Sequence, residues 1–438
     1  MSSTYLLVQD GRDDHSWGDR STSLALAQQL APMGRRVSVG RAWATSPIPT
    51  GPAIGALRAS RNGKRVARRL VRRPLARRAL ERIGIRDDYV SLEPDKAAER
   101  FMSASRRDGD LSWLRHQFEA CDRIVVNVLG SGVFRDPPRR DLNFLLLAVE
   151  LGRRFGKPTF FVNALASESY LSGAAPEVED AVAATLQDDI PTLARDPVSQ
   201  QRLVRCGVTQ ARYVPDALFT WAQRYGDVAQ DPTRLIRPES YDCWPESHDV
   251  FQRAGFPTDY VAVSGAERHP YESIAHWKTF FNELLASLER QLGLAVVVVD
   301  PGGDGLLEEV ADRAGALFVR PQVNIMAGFH LLSNARALIS GRFHPSILAS
   351  LGGTPCTFLR SSGHKNLSLQ QQLGYAQPRM FPFDAATENV AAITANVAAH
   401  LAEGELLRSR IRDVSAALGV ETTRGLRALC DERGGGGV

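Results

Sequence analysis

The chain has 438 residues, of which 44% are hydrophobic, and it carries a formal net charge of +4. This length is too great for one ordinary hydrophobic core and predicts two domains, while the hydrophobic fraction excludes a largely disordered chain. No apolar run approaches the roughly 20 residues that a membrane-spanning helix needs, so we expect none.

The amino-terminal residues and the cysteines indicate the compartment. Residues 1–8 lack the basic start and the long apolar stretch of a signal peptide. The five cysteines are odd in number, and no two have the short spacing of a zinc or redox motif. We therefore expect a reduced, cytoplasmic protein without a metal site.

The first elements alternate between strand and helix. An apolar strand is predicted at residues 5–9, a helix at 21–33 and a second strand at 36–39. Residues 45–104 have a different composition, because proline and glycine come first and arginines then crowd the stretch from Arg61 to Arg86. This stretch predicts a basic helical insertion on the scaffold.

Alternation then resumes and predicts two similar halves. Strands and helices follow one another from residue 122, and a second series begins at residue 260. The polar, proline-rich residues 226–249 predict a connector between them. The predicted fold class is α/β, with two doubly wound, Rossmann-like domains at 1–225 and 250–433 that face a cleft in a glycosyltransferase-B-like arrangement.

The most informative motif follows a predicted strand in the C-terminal half. The strand ends at Ser340 and Gly341, and Arg342 and His344 come next, at the start of a predicted helix. A guanidinium beside a helix N-terminus suits a carboxylate or a phosphate, and a histidine there can transfer a proton near neutral pH. The motif predicts an anion-binding and acid–base site.

This region resembles the polysaccharide pyruvyl transferase family. The resemblance rests on Arg342-x-His344, on the turn with Gly353 and Pro355, and on Lys365 about twenty residues after the histidine. It implies that Arg342 and Lys365 bind phosphoenolpyruvate, with Ser340 and Gly341 at the same donor site, and that His344 is the general acid. Phosphoenolpyruvate is then a co-substrate, and no cofactor is expected.

Three further stretches of the N-terminal half are similar to the family. They are Gly18-Asp19, the loop Gly130-Ser131-Gly132 that runs on to Asp136, and Arg195-Asp196 with the later Pro215-Asp216. The resemblance implies that Gly18, Gly130, Ser131 and Gly132 contact the acceptor. We predict Asp136 or Asp19 as the catalytic base. For Arg195 and Asp196 we favour a structural role, as an ion pair that holds a helix start.

The sequence departs from the family pattern at two places. Arg268 comes slightly late after the first strand of the second half, although we include it as a third donor-binding cation. The basic insertion at 45–104 is also unusual. We expect it to help hold an anionic acceptor, such as a nucleotide-linked or lipid-linked sugar. Contact between Arg61–Arg86 and the inner face of a membrane is the second interpretation, and nucleic acid is not expected as a partner.

Two other functions remain open at this stage. One is a glycosyltransferase of the same two-domain shape that uses a nucleotide sugar, because a fold does not fix a function. The other is a non-catalytic family member that binds a glycan or a partner protein. A homo-oligomer is also left open.

Overall fold

The computed structural model of the chain describes residues 3–45, 89–129, 132, 134, 140–167, 175–187, 189–230, 256–266, 273–302, 305–382 and 387–431. Most of the predicted insertion, most of the connector and the predicted site residues Gly130, Ser131, Asp136 and Arg268 lie outside these residues.

The N-terminal domain is built on a parallel sheet. Within the described residues it has six strands in the order β2-β1-β3-β4-β5-β6. Leu6 in the centre of β1 pairs with Val37 on one side and with Ile124 on the other. Side chains on both faces of β1 are buried, as expected for a central strand covered by helices on both sides. The strands are β1 (Thr4–Asp10), β2 (Arg35–Gly40), β3 (Arg123–Asn127), β4 (Thr159–Ala164), β5 (Thr192–Ala194) and β6 (Arg212–Tyr213).

The C-terminal domain repeats this plan. Its described residues form a sheet of five parallel strands in the order β11-β10-β7-β8-β9. The order reverses beside β7, and such a reversal is where ligands bind in open α/β sheets. The strands are β7 (Tyr260–Val263), β8 (Ala295–Val299), β9 (Leu317–Val319), β10 (Ala337–Ser340) and β11 (Cys356–Phe358).

Helices connect the strands in both domains. In the first domain they are α1 (Trp17–Leu30), α2 (Arg41–Thr45), α3 (Pro94–Ser105), α4 (Gly109–Ala120), α5 (Arg140–Arg154), α6 (Pro176–Thr185), α7 (Pro197–Arg205) and α8 (Trp221–Gln230), with 3-10 turns at Ala31–Met33 and Ala217–Thr220. In the second they are α9 (Ile274–Leu292), α10 (Leu306–Ala314), α11 (Ile325–Asn334), α12 (Phe343–Leu351), α13 (Lys365–Gln372) and α14 (Thr387–Asp431). None of the described helices is both long and apolar enough to cross a membrane.

Helix α1 begins earlier than the sequence predicted. The prediction started it at residue 21, whereas the structure starts it at Trp17 because the Ser16 side chain caps it by accepting a hydrogen bond from the Asp19 amide. The described end of the predicted insertion also differs from a solvated basic helix. In α3, Phe101 is fully buried and its ring packs 5.5 Å from that of Tyr89, so this stretch belongs to the domain core.

The two domains share a buried boundary. Trp17 at the start of α1 donates from its ring Nε1 to the Pro321 carbonyl over 3.1 Å. Arg20 has no exposed surface and donates to the carbonyls of Pro321 (2.6 Å) and Val323 (3.0 Å). Because a buried guanidinium is costly without partners, these carbonyls fix the first turn of α1 against the second domain.

Helix α14 contacts both domains. It changes direction at Gly404, where φ is 58° and ψ is −133°. Before the bend, Thr394 hydrogen-bonds Ser287 of the second domain over 3.0 Å. After it, Thr422 donates to the Pro215 carbonyl over 3.3 Å and Arg123 donates to the Cys430 carbonyl over 3.0 Å. The chain therefore returns to the first domain at its end.

Candidate functional site

The carboxyl end of β10 is a tightly hydrogen-bonded turn. Ser264, which follows β7, donates to the Ser340 hydroxyl over 2.6 Å, and Ser340 in turn donates to the Arg342 carbonyl over 3.1 Å. Gly341 is required by close packing, since a Cβ there would lie 2.2 Å from the Cβ of Ala266. Serines and glycine thus fix the backbone that carries Arg342.

Arg342 reaches along the carboxyl edge of the second sheet. Its guanidinium lies against Gly302, in the loop after β8, where a Cβ would come within 3.0–3.1 Å of the guanidinium atoms. The Asp300 carboxylate holds that loop by accepting from the amides of Gly302 (3.1 Å) and Gly305 (2.9 Å). The glycine therefore leaves room for a planar cation above the strand ends, as the sequence motif predicted.

His344 lies in the first turn of α12 and faces the N-terminal domain. It is buried, and its Nε2 lies 3.3 Å from the Asp216 Oδ2 and 3.4 Å from an Arg195 terminal nitrogen. On its other side, a Cβ at Gly18 would come within 2.4 Å of His344 Nδ1. The imidazole therefore sits at the domain boundary, between a carboxylate and a guanidinium on one side and a glycine on the other.

Asp216 is the carboxylate partner of this histidine. It is fully buried, and its Oδ1 accepts from the Thr22 hydroxyl (2.9 Å) and from the Leu218 amide (3.0 Å). Burial alone would raise its pKa, but the interactions with His344 and Arg195 outweigh burial. The pKa of Asp216 therefore lies well below its usual value. Asp216 therefore stays ionised beside the His344 imidazole.

Arg195 completes the cluster. It is 1% exposed, lies 3.5 Å from the Asp216 Oδ2, and stacks over the Phe343 ring with 4.3 Å between its guanidinium carbon and the ring centroid. Burial lowers its pKa, and Asp216 opposes that shift. The predicted role of the Arg195–Asp196 pair was half right. Asp196 does cap α7, accepting from the Ser199 amide over 2.8 Å, but Arg195 pairs with Asp216 of the same domain instead.

A ladder of amide side chains supports Asp216 from the strand ends of the first sheet. Asn163, near the end of β4, donates to the Asn127 Oδ1 over 2.9 Å and accepts from the Ala217 amide over 3.2 Å. Asn127 donates to the Gln9 carbonyl over 3.4 Å. Gln9 and Asn163 have positive φ values of 61° and 55°, a backbone conformation that costs energy for non-glycine residues and is found where function or packing demands it.

Lys365 begins α13 and is nearly buried. It is 9% exposed, and its Nζ donates to the Ser362 hydroxyl over 3.2 Å. It is therefore not the solvated loop lysine that its sequence context alone would suggest. Its neighbour His364 contacts Asp196 of the first domain at 3.0 Å.

The described residues among those predicted for the acceptor side have different surroundings. Gly18 lies against His344, as described above. The Asp19 carboxylate pairs with Arg41, which also bonds Asp14 at 3.0 Å, and this pairing raises the pKa of Arg41. Gly132 packs against Ser167, because a Cβ there would lie 2.0 Å from the serine hydroxyl.

Sequence reasoning missed Asp216 and Arg195 as site residues. Arg195 directly follows β5 and Asp216 comes three residues after the end of β6, so both lie at the carboxyl edge of the first sheet. The dipeptides Arg195-Asp196 and Pro215-Asp216 were noticed as motifs, and their position after strands was the signal that could have placed them at the cleft. Among the described residues, no group of three or more His, Cys, Asp or Glu side chains is placed to hold a metal ion.

Comparison with solved structures gives distant neighbours that share the fold. The UDP-GlcNAc 2-epimerase from Neisseria meningitidis bound to UDP-GlcNAc matches with a TM-score of 0.55 and 12% identity over 98% of this chain and 100% of that one. The UDP-N-acetylglucosamine 2-epimerase from Rickettsia bellii has a TM-score of 0.52 and 11% identity over 100% and 99%. These likenesses confirm the predicted fold class of two facing, glycosyltransferase-B-like α/β domains.

Comparison by sequence identifies the family. A search of curated proteins finds no match. The family model for polysaccharide pyruvyl transferase matches residues 75–363, well over half of the chain, including Arg342, His344 and the two first-domain partners of His344. The chain therefore belongs to the polysaccharide pyruvyl transferase family, a family of transferases, as its Arg-x-His motif predicted.

Proposed function

We propose that this transferase moves the pyruvyl group of phosphoenolpyruvate onto two hydroxyl groups of a sugar, forming a ketal and releasing phosphate. The observation that carries the proposal is the position of His344, a buried acid–base group at the domain boundary beside the ionised Asp216. Family membership and the cationic residues near the same strand ends support it.

The donor would bind at the carboxyl edge of the second sheet. Phosphoenolpyruvate carries up to three negative charges on a carboxylate and a phosphate, so its site needs several cations. Arg342 offers a planar fork that matches either group, and Lys365 adds a compact charge. Arg268 stays a prediction for a third cation and lies outside the described residues.

His344 would act as the general acid. It protonates the methylene carbon of the donor, and one sugar hydroxyl adds to the central carbon. Phosphate then leaves, taking one hydroxyl proton with it, and the second hydroxyl adds to the same carbon. The catalytic base takes the other hydroxyl proton and passes it to the histidine, which returns to its acid form. A positioned acid of this kind contributes on the order of 10²–10⁴-fold to the rate.

The catalytic base and the acceptor would come from the first domain. Asp19 is already paired with Arg41, which disfavours it as a proton acceptor, so Asp136 is the base that we propose. The acceptor is a sugar, a nucleotide-linked sugar or a lipid-linked glycan. The Neisseria neighbour binds UDP-GlcNAc, which favours a nucleotide-linked sugar as the first acceptor to test.

Isothermal titration of phosphoenolpyruvate against wild type, Arg342→Ala and Arg320→Ala tests the donor. Arg320 is the matched control, because its side chain is 67% exposed and pairs with Glu308 at the surface. We expect the wild type and Arg320→Ala to bind alike and Arg342→Ala to lose binding at least tenfold, as for a charged hydrogen bond. A wild type that binds UDP-GlcNAc but not phosphoenolpyruvate would favour the glycosyltransferase alternative, and donor binding without phosphate release would favour a non-catalytic family member.

A further inference from the structure

A second cluster joins the two domains beside the first. Asp196 has no exposed surface, and its Oδ2 accepts from the Ser199 hydroxyl over 2.6 Å. From the other domain, the His364 Nε2 lies 3.0 Å and the Ser368 hydroxyl 3.3 Å from the Asp196 Oδ1. One buried carboxylate of the first domain thus holds two side chains of the second. We name these four residues the Asp196 latch.

Hydrogen-bond donors in the latch can be assigned by elimination. The Ser199 hydroxyl gives its proton to Asp196, so it can only accept from the His364 Nε2, which lies 3.1 Å away. Both neighbours of that nitrogen are then acceptors, and Nε2 must carry a proton. Burial alone would raise the pKa of Asp196, but the contact with His364 and the hydrogen bonds from Ser199 outweigh burial, so its pKa is lowered. Because the Asp196 carboxylate stays ionised, the hydrogen bond that it accepts from the His364 Nε2 is charge-assisted.

The latch contacts the helix turn that carries Lys365. His364 precedes Lys365 directly and occupies the N-cap position of α13, and the Ser368 amide donates to the His364 carbonyl over 2.9 Å. Lys365, the next residue of this turn, is itself buried, and its Nζ donates to the Ser362 hydroxyl. Two side chains held by Asp196 therefore fix the position and the direction of the turn that presents the ammonium.

We propose that His364 is a positioning residue, which through its contact with Asp196 of the first domain holds the Lys365 ammonium at the donor site. This inference rests on the proposed function for the role of Lys365 but not for the existence of the latch. It assigns His364 a task separate from that of His344: His344 reacts with the donor, and His364 only places a cation that binds it. Adjacent residues, Arg195 and Asp196, supply the first-domain partners of these two histidines.

The first arm of the test measures the lysine directly and needs no donor. The Nζ of Lys365 is acetylated with an N-hydroxysuccinimide ester, and the rate is followed by mass spectrometry in wild type, His364→Ala and His364→Gln. Lys96, whose side chain is 63% exposed, reports reagent activity in every sample. We expect His364→Ala to label Lys365 about tenfold faster, because a charge-assisted contact is lost, and His364→Gln to stay within about twofold of wild type, because its amide keeps an N–H donor.

The second arm measures phosphoenolpyruvate binding in a double-mutant cycle. His364→Ala should weaken binding about tenfold in the wild-type background and add no further loss to Lys365→Ala, since the histidine acts through the lysine. His276→Ala removes an exposed histidine on α9 and should change neither arm. If His364→Ala does not fold, Ser368→Ala removes a single latch contact, and we expect about threefold effects in both arms.

The two arms separate the two proposals. Unchanged labelling of Lys365 in His364→Ala overturns the latch, and so does a loss of donor binding that is equally large with and without Lys365. A wild type that does not bind phosphoenolpyruvate overturns the proposed function, and the labelling arm then still decides whether Asp196 and His364 hold the lysine.

Discussion

The carboxyl edges of the two sheets face the same cleft but differ in charge. At the first edge these charged groups form ion pairs: Asp10 with Arg12 at 2.8 Å, and both Asp14 and Asp19 with Arg41. At the second edge Arg342 and Lys365 stand near the strand ends, and Asp300 is held by backbone amides. An edge whose arginines are already paired with carboxylates suits neutral hydroxyl groups, and cations near the strand ends suit a small anion. This difference is the reason for proposing acceptor and donor sites in different domains.

The largest expected effect comes from the residue that lies between the two edges. His344→Gln removes the acid but keeps a polar side chain of similar size. We expect phosphate release to slow on the order of 10²–10⁴-fold while the dissociation constant for phosphoenolpyruvate changes less than about threefold. Stopped-flow detection of phosphate and isothermal titration measure the two quantities. Loss of donor binding with unchanged turnover would reverse the roles of His344 and Arg342.

The second effect is on stability and its pH dependence. Asp216→Asn keeps the shape of the side chain but leaves Arg195 and His344 without their carboxylate. We expect a loss of about 3 kcal/mol in the free energy of unfolding near pH 7, as for one partner of a buried ion pair. Because the folded-state pKa of Asp216 is lowered, its contribution is complete above its usual pKa and is lost as the pH falls through the lower, folded value.

Denaturant titrations of wild type and Asp216→Asn between pH 3 and pH 8 measure that loss. The difference in the free energy of unfolding between the two proteins should be constant from about pH 5 upward and should decrease below about pH 4. If this free-energy difference changed instead between pH 6 and 8, titration of a histidine, not of the carboxylate, would determine the stability of the cluster.

The smallest expected effect lies wholly on the second edge. Ser264→Ala removes one hydroxyl from the chain of hydrogen bonds that runs through Ser340 to Arg342. We expect the KM for phosphoenolpyruvate to rise about threefold to tenfold, as for one neutral hydrogen bond, and the KM for the acceptor to stay unchanged. Equal changes in both KM values would contradict the assignment of donor and acceptor to separate edges.

Sequence alone predicted the fold well because its signals are local. Alternation of apolar strands with helices extends over tens of residues, and this pattern predicted both sheets and the class of fold. The donor motif was local too, since Arg342 and His344 follow one strand and share one turn. Even the early start of α1 had a local signal in Ser16, although the burial of Trp17 against the other domain did not.

Contacts between the domains could not be predicted in this way. Asp216 meets His344 only because the two sheets face one another, and no pattern within either half specifies their separation or rotation. The same holds for Asp196 and His364, which are 168 residues apart. A sequence motif can mark such residues as unusual, but their partners are set by the packing of Trp17 and Arg20 at the boundary.

The bend in α14 restricts which sequences this architecture tolerates. A backbone at φ 58° and ψ −133° is open to glycine and to essentially no other residue, because a Cβ would clash with its own peptide groups. Exposed positions in the helical turns on either side of Gly404 can exchange one helix former for another at little cost. At Gly404 itself, any side chain disfavours the bend and favours a continuous straight helix. The last turns of α14 would then lie away from Pro215 and Arg123, and the first domain would lose its contacts with this helix.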